Sequence, residues 1–265
     1  MEKFDIQKIA RSYVFKRFPN ASNKEKEKII NDWVMKEKDS NLLVKDFIER
    51  VGAVAEKKIL DAGSGNGGVS ISFAKNGASV SGVDIEKDLY EVSIRQKENL
   101  DIKNVDFILY DGVKIPFEDN YFDYALSLSV LEHTDDPKEY LKEILRTVKV
   151  GGVLYLGFPN KIWPKETHTG LWFLTYLPSF LKPYMVSIFK KNPLPDNNLH
   201  FYGLSDLLSF INTDGKYKWE VIKEDGKSMR GVKFILKKIL SLFNLNYKMF
   251  LPHILLILRK VKNEK

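Results

Sequence analysis

Cysteine is absent from the 265 residues. The chain therefore has no disulfide framework, no thiolate zinc site and no cysteine nucleophile, and this fits a reducing compartment. Long apolar runs are missing too. The first twenty residues, MEKFDIQKIARSYVFKRFPN, contain no apolar stretch of signal-peptide length, so export is not expected. The nearest approach to a membrane span, Leu171 to Phe189, is broken by Lys182, Pro178 and Pro183, which argues against a transmembrane helix. Internal repeats and low-complexity segments are lacking as well. With 44% hydrophobic and 12% aromatic residues, disordered and fibrous classes drop out. The length suits one large domain, or one domain carrying a sizeable insertion.

Most of the chain also lacks an excess of positive charge. The net charge is +7, yet Lys227 to Lys265 alone holds ten basic residues and one Glu, a local +9. The remainder is slightly acidic. Affinity for nucleic acid leans on neutralised phosphates, so no nucleic-acid partner is expected. The positive charge belongs to the C-terminal tail.

What is present falls into zones. Residues 1–56 are charged and helical in pattern, with Ile29, Ile30, Trp33 and Val34 on one spacing, followed by Leu42, Leu43, Phe47 and Ile48. Residues 57–160 alternate short apolar runs with amphipathic stretches. The runs are 58–62, 79–84, 105–109, 122–129 and 151–158; helical patterns cover Val69–Lys75, Lys87–Asn99 and Pro137–Val148. This rhythm predicts an α/β fold, a mostly parallel sheet with helices on both faces. Residues 161–215 break it with an aromatic-rich insertion and the loop 192–198, ending in a short helical pattern over 204–211. Residues 216–265 hold strand patterns at 218–224 and 253–261 around a basic apolar helix, 232–243.

The most informative segment is Lys58–Ser70, KILDAGSGNGGVS, where a buried strand runs through a glycine loop into a helix. Glycines let a ligand approach the backbone with no Cβ in the way. Alone the loop is ambiguous, since Gly63, Gly65 and Gly68 also satisfy the GxGxxG of nicotinamide and flavin enzymes. Three acids surround it. Asp61 lies on the strand two positions before Gly63. Asp84 ends the second strand, placed to accept from ribose hydroxyls. Asp111 follows the third strand, where a carboxylate accepts from an exocyclic adenine amine while the next N–H, that of Gly112, meets a ring nitrogen. Such a ring suits a cationic, phosphate-free nucleoside and repels a pyrophosphate. Two plainer readings stay open: Asp84 as a cap of the following helix, and Asp111 as a turn residue before Gly112.

Four ordered motifs resemble the class I S-adenosylmethionine-dependent methyltransferases of the small-molecule branch: Leu60-Asp61-Ala62-Gly63-Ser64-Gly65-Asn66-Gly67; Gly82-Val83-Asp84; Asp111 with Ile115-Pro116-Phe117 and Phe122-Asp123; and Val130-Leu131-Glu132-His133-Thr134-Asp135-Asp136-Pro137. The resemblance covers residues 57–160. It implies a Rossmann-like seven-strand sheet, with an α-helical lid inserted after the fifth strand. It also implies an S-adenosyl-L-methionine site in which Gly63 and Gly65 hold the methionine part, Asp84 the ribose, Asp111 and Gly112 the adenine, and Leu128 faces the sulfonium. The expected organisation is a helical cap (1–56), the cofactor-binding core (57–160), an acceptor lid (161–215) and closing strands (216–265).

A hydroxyl acceptor must lose its proton as it attacks, and His133, after the fourth strand, is the candidate base; packing or capping the next helix is its alternative. Its neighbour Glu132 reads as a solvated or structural acid. His168, in KETHTGLWF, is a second catalytic candidate, although a structural role is the commoner reading for it and for His200; His253, in a terminal apolar strand, reads as structural. Some relatives bind magnesium through E-x-x-E-H; here Ser129 replaces the first acid, and no metal is expected. The aromatic insertion fits an apolar pocket or a satellite core. The helix 232–243 fits a membrane surface or a face packed on the sheet. The expected partner is a small-molecule acceptor, a sugar, glycolipid or quinone-like compound, with lipid linkage and peripheral membrane contact through 163–189 and 232–243. The expected location is the cytoplasm, at the inner face of the membrane where such contact is made. The competing functions are an NAD(P)-dependent oxidoreductase and a non-catalytic nucleoside-binding or membrane-scaffold protein.

Overall fold

A computed structural model describes residues 6–19, 21–166, 170–189, 200–211, 217–225 and 251–263. The expected loop 192–198, the basic helix 232–243 and His168 lie outside the described residues. Two helices, α1 (Ile6–Arg17) and α2 (Asn23–Arg50), precede β1 (Lys58–Ala62), α3 (Gly68–Lys75), β2 (Ser79–Asp84), α4 (Lys87–Asn99) and β3 (Val105–Leu109). There follow β4 (Phe122–Leu128), α5 (Pro137–Thr147), β5 (Val148–Pro159), α6 (Lys182–Ile188), α7 (Leu204–Phe210), β6 (Tyr217–Asp225) and β7 (His253–Lys262).

The strands form one seven-stranded sheet in the order β3-β2-β1-β4-β5-β7-β6. Pairings β1–β2, β1–β4 and β2–β3 are parallel, and β6–β7 is antiparallel. β1 is buried from Ile59 to Ala62 and β5 from Gly152 to Leu156, as strands covered on both faces are. Element ends from β1 to β7 differ from the sequence reading by no more than one residue except at β5, which starts three residues early. The helix α5 stops at Thr147, and Val148 already belongs to β5, whose buried residues begin in earnest only at Gly152. An apolar run marks the buried part of a strand, not its full length.

The chain forms two compact units, residues 1–126 with 146–153 and residues 127–145 with 154–265. In the first, a capping box opens α2: the Glu25 N–H donates to Ser22 Oγ and the Ser22 N–H to Glu25 Oε2, at 3.3 and 2.9 Å. Ala10, Val14 and Ile30 join α1 to α2. The stripe that α2 buries further along is Ser40, Val44 and Phe47; Leu42 and Ile48, expected on the apolar face, are exposed. Phe47 meets Phe73 and Tyr124 edge to face, with ring centres 5.1 and 5.4 Å apart, which fixes the rotation of the helix.

In the second unit, Ser127 Oγ and Tyr140 Oη meet at 2.8 Å and tie α5 to β4. Asn160, just past β5, donates its side-chain N–H to Leu251 O and its backbone N–H to Pro252 O, at 2.8 and 3.0 Å, anchoring the approach to β7. The aromatic insertion builds a satellite core of Leu171, Leu174 and Val186, against which Leu177 and Met185 pack.

Candidate functional site

The first unit brings Asp61, Gly63, Gly65, Asp84, Asp111 and Gly112 to the C-terminal ends of β1, β2 and β3, where open α/β sheets bind ligands. The glycines of the loop and of β2 divide into two kinds. A Cβ on Gly67 would lie 2.6 Å from Phe107 Cζ, and one on Gly82 2.7 Å from Phe107 Cδ1 and 2.8 Å from Ser64 Cβ. These two glycines make room for the Phe107 ring from β3. Gly65 has φ +55°, and nothing lies within 4 Å of the Cβ it lacks. Its missing side chain leaves an open cradle for a ligand.

The loop's own N–H groups are mostly spent within the protein. Gly63 and Ser64 donate to Val83 O, Gly67 to Ser64 O, Gly68 to Asn66 Oδ1, and Gly65 to Asp84 Oδ2 at 2.7 Å. A pyrophosphate needs such donors pointing outward. With the loop amides turned inward and a carboxylate on one of them, the loop fits a phosphate-free ligand.

Asp84 is largely buried. Its second oxygen accepts from the Glu86 N–H at 2.9 Å. Glu86, not Asp84, is the N-cap of α4, so Asp84 pins the glycine loop to the strand end, and each oxygen keeps a lone pair for a hydroxyl donor. Asp61 is buried below the loop and accepts from Ser70 Oγ at 2.6 Å. Burial pushes its carboxyl up to about 6, with the nearby Asp84 charge adding to the rise and the Ser70 hydroxyl opposing it. Asp111 is exposed; the N–H groups of Val113 and Lys114 donate to its Oδ1, holding its carboxyl below the usual range. The turn reading of Asp111 is thus realised, with Oδ2 outside those two bonds.

Residues the sequence reading missed complete this half. Ile85 is 61% exposed and Val113 75% exposed, and a Cβ on Gly112 would lie 3.2 Å from Ile85 Cγ2. Two apolar side chains thus stand in solvent beside Gly112, ready to cover a flat heterocycle. The available signal was an isoleucine after Asp84 in an otherwise charged turn. Ser70 and Gln96, whose Nε2 donates to Asn66 O at 2.7 Å, had no sequence signal, because their partners lie 9 and 30 residues away.

The motif 115–117 is held by Arg146, which donates to Ile115 O, Phe117 O and Asp119 Oδ1 at 2.7 to 2.9 Å. Asp123 accepts from the Lys58 N–H and pairs with Lys149 at 2.7 Å. Burial alone would raise its carboxyl, but these partners outweigh that and hold it low, which is a structural role.

The second unit carries Leu128, His133 and their motif. A Cβ on Gly157 would lie 2.8 Å from Leu128 Cδ2, so that glycine seats the leucine. Ser129 then takes a left-handed φ of 56° and donates to Gly157 O at 2.8 Å. Strain of about 1–2 kcal/mol in a residue with a Cβ is typical of functional turns. A short 3₁₀ turn, Leu131–His133, follows. Glu132 is buried and its carbonyl accepts from the His200 N–H at 2.8 Å, so the solvated reading of this acid is wrong. His133 is half-buried. Asp136 caps α5, accepting from the Lys138 and Glu139 N–H groups at 3.0 and 3.1 Å ahead of Pro137. Among the described residues no group of three His, Asp or Glu is placed to hold a metal ion.

Residues 60–156 match the family described as a methyltransferase domain. The chain is 34% identical over 107 residues to the demethylmenaquinone methyltransferase of Renibacterium salmoninarum, covering 40% of this chain and 43% of that protein. It is 30% identical over 123 residues to the ubiquinone biosynthesis O-methyltransferase of Coxiella burnetii, covering 46% and 52%. The chain thus matches about half the length of these relatives. Among solved structures, the [4+2]-cyclase SpnF is similar with TM-score 0.58 at 18% identity, over 83% of this chain and 80% of the other. An S-adenosylmethionine-dependent methyltransferase from Mesorhizobium loti is similar with TM-score 0.56 at 14% identity, over 81% and 96%. At these identities the structural likeness speaks for the fold alone.

Proposed function

We propose, from the premise that residues 60–156 are a class I methyltransferase domain, that the chain transfers a methyl group from S-adenosylmethionine to a small, partly apolar acceptor. The observation that carries this reading is the loop at 63–68, open at Gly65, with its amides committed inward and Asp61 and Asp84 beside it. That cradle fits a cationic nucleoside without phosphates, and it counts against a dinucleotide.

S-adenosylmethionine, when bound, supplies a methyl group on a positively charged sulfur, open to displacement by an acceptor atom. Gly63 and Gly65 give its amino-acid part access to the backbone. Asp84 receives the ribose hydroxyls, Asp111 and Gly112 the adenine edge, and Ile85 and Val113 its faces. Leu128 is assigned to the neighbourhood of the sulfonium, and His133 to taking the proton from an acceptor hydroxyl. The named activities of the menaquinone and ubiquinone relatives favour a quinone-like acceptor over a sugar or glycolipid.

Calorimetric titration with S-adenosylhomocysteine tests the cofactor half. Micromolar binding that Asp84→Ala weakens at least about tenfold is expected, since a charge-assisted hydrogen bond is worth about 1.5–3 kcal/mol; no binding by the unaltered chain refutes it. Incubation with methyl-labelled cofactor and cell extract, read by mass spectrometry for a product heavier by one methylene, identifies the acceptor.

A further inference from the structure

The segment after β5 carries a surface that the reading above does not use. Its inward side is the satellite core of Leu171, Leu174 and Val186. Its outward side is just as apolar. The exposed rings of Trp172, Phe173 and Tyr176 form a chain with centres 6.1 and 6.3 Å apart. Beyond it, Phe180, Tyr184 and Ile188 recur at four-residue spacing and are 70%, 68% and 71% exposed. A helix on the surface of a water-soluble domain shows one apolar stripe and turns polar groups outward; α6 is apolar both where Val186 packs and where Tyr184 and Ile188 face out.

Charge narrows what can cover this face. From Gly170 to Lys191 the sequence contains no Asp or Glu and three lysines, 182, 190 and 191. Lys182 lies 4.6 Å over the Phe201 ring, and burial together with Lys161 lowers its pKa. Among the described residues 172–189, the exposed ones with polar side-chain atoms are Trp172, Tyr176, Tyr184 and Ser187, and all are uncharged, the aromatic three being of the kind that lodges at a headgroup boundary. Aromatic and aliphatic side chains over a short helix, with charge of one sign only, match the headgroup boundary of an anionic bilayer. No helix among the described residues is long and apolar enough to cross a membrane.

We propose that the outward face of residues 172–189 lies on an anionic lipid surface, dipping its rings below the headgroups without spanning the bilayer. The face then meets a hydrophobic acceptor in the phase where that acceptor dissolves. The surface stands on exposure and charge; only the link to the acceptor rests on the proposed methyl transfer.

The test is flotation of the full chain with vesicles of phosphatidylcholine, with and without phosphatidylglycerol, alongside tryptophan emission. The chain is expected to float with the anionic vesicles, less so at high salt, with a blue shift from Trp172. The triple variant Phe180→Ser/Tyr184→Ser/Ile188→Ser is expected to lose at least about tenfold in vesicle affinity, while Leu42→Ser, an exposed leucine on α2, matches the unaltered chain. S-adenosylhomocysteine titrated into the same samples separates failure of the surface from failure of the methyltransferase reading. No binding to anionic vesicles, or equal binding by the triple variant, overturns the proposal. So does a triple variant that turns a dimer into a monomer while still floating, because the face would then join two copies.

Discussion

Two alanine substitutions on the same loop-and-strand unit separate glycines that serve a ligand from glycines that serve a side chain. In Gly82→Ala the new methyl would sit 2.7 Å from Phe107 Cδ1 and 2.8 Å from Ser64 Cβ, against a relaxed carbon contact of about 3.5–4 Å. The ring has no easy retreat, because Gly67 bounds it as well, its own Cβ position being 2.6 Å from Phe107 Cζ. Overpacking of this kind costs about 1–3 kcal/mol. Phe107→Leu removes Cε1 and replaces the rigid ring by Cδ methyls that can rotate away, leaving only the Ser64 contact, so the double variant should be more stable than the two single costs predict, with a coupling of at least about 1 kcal/mol. Gly65→Ala meets no atom within 4 Å. Its cost is the left-handed φ of +55° alone, about 1–2 kcal/mol, and it should add to Phe107→Leu without coupling. Its methyl fills the cradle instead, so affinity for S-adenosylhomocysteine should fall at least about tenfold, the loss that about 1.4 kcal/mol gives. Urea unfolding at constant m-value reads the stabilities, and calorimetry the affinities. If Gly82→Ala and Phe107→Leu are simply additive, or if Gly65→Ala binds the nucleoside as the parent does, the division of the glycines is wrong.

Asp61 predicts a pH signature. Its folded pKa of about 6 lies above the unfolded value near 3.8, so the native state holds the proton longer, and stability falls as pH rises through that window, by about 3 kcal/mol at pH 7. Asp61→Asn keeps an acceptor for Ser70 and should gain on the parent by up to that amount between pH 4 and pH 7 in paired urea titrations; a constant difference refutes the burial argument. Asp111→Ala removes an exposed carboxylate, so it should weaken S-adenosylhomocysteine binding several-fold, about one lost hydrogen bond, and lower the thermal midpoint slightly as the Val113 and Lys114 N–H groups lose their acceptor. His133→Ala, assayed on a hydroxyl acceptor, should lower kcat about 10²–10⁴-fold and erase the acid limb of the pH profile while leaving cofactor affinity intact. An unchanged kcat removes His133 from the chemistry.

Much of the fold was legible because its signals are local. A strand shows as a short apolar run and a helix as a 3.6-residue spacing, and α4 spans Lys87–Asn99 in both the sequence reading and the structure. The site was legible to the extent that motif order places Asp61, Gly65, Asp84 and Asp111 at the ends of neighbouring strands. The reading failed where a residue's role depends on distant chain. Leu42 and Ile48 fit an apolar stripe on paper, yet α2 buries Ser40, Val44 and Phe47 because Phe73 and Tyr124 fix its rotation. Glu132 is buried, its carbonyl taken by a residue 68 positions later.

The sequence by itself determined the alternation of strands and helices, the glycine turn and the acids around it, since periodicity and backbone freedom are properties of neighbours in the chain. Only the tertiary structure decided which glycines face open space and which face Phe107, where the loop amides point, and that the rings of 172–189 stand outward. Those are facts about what surrounds a side chain, and surroundings exist only once residues far apart in sequence have packed together.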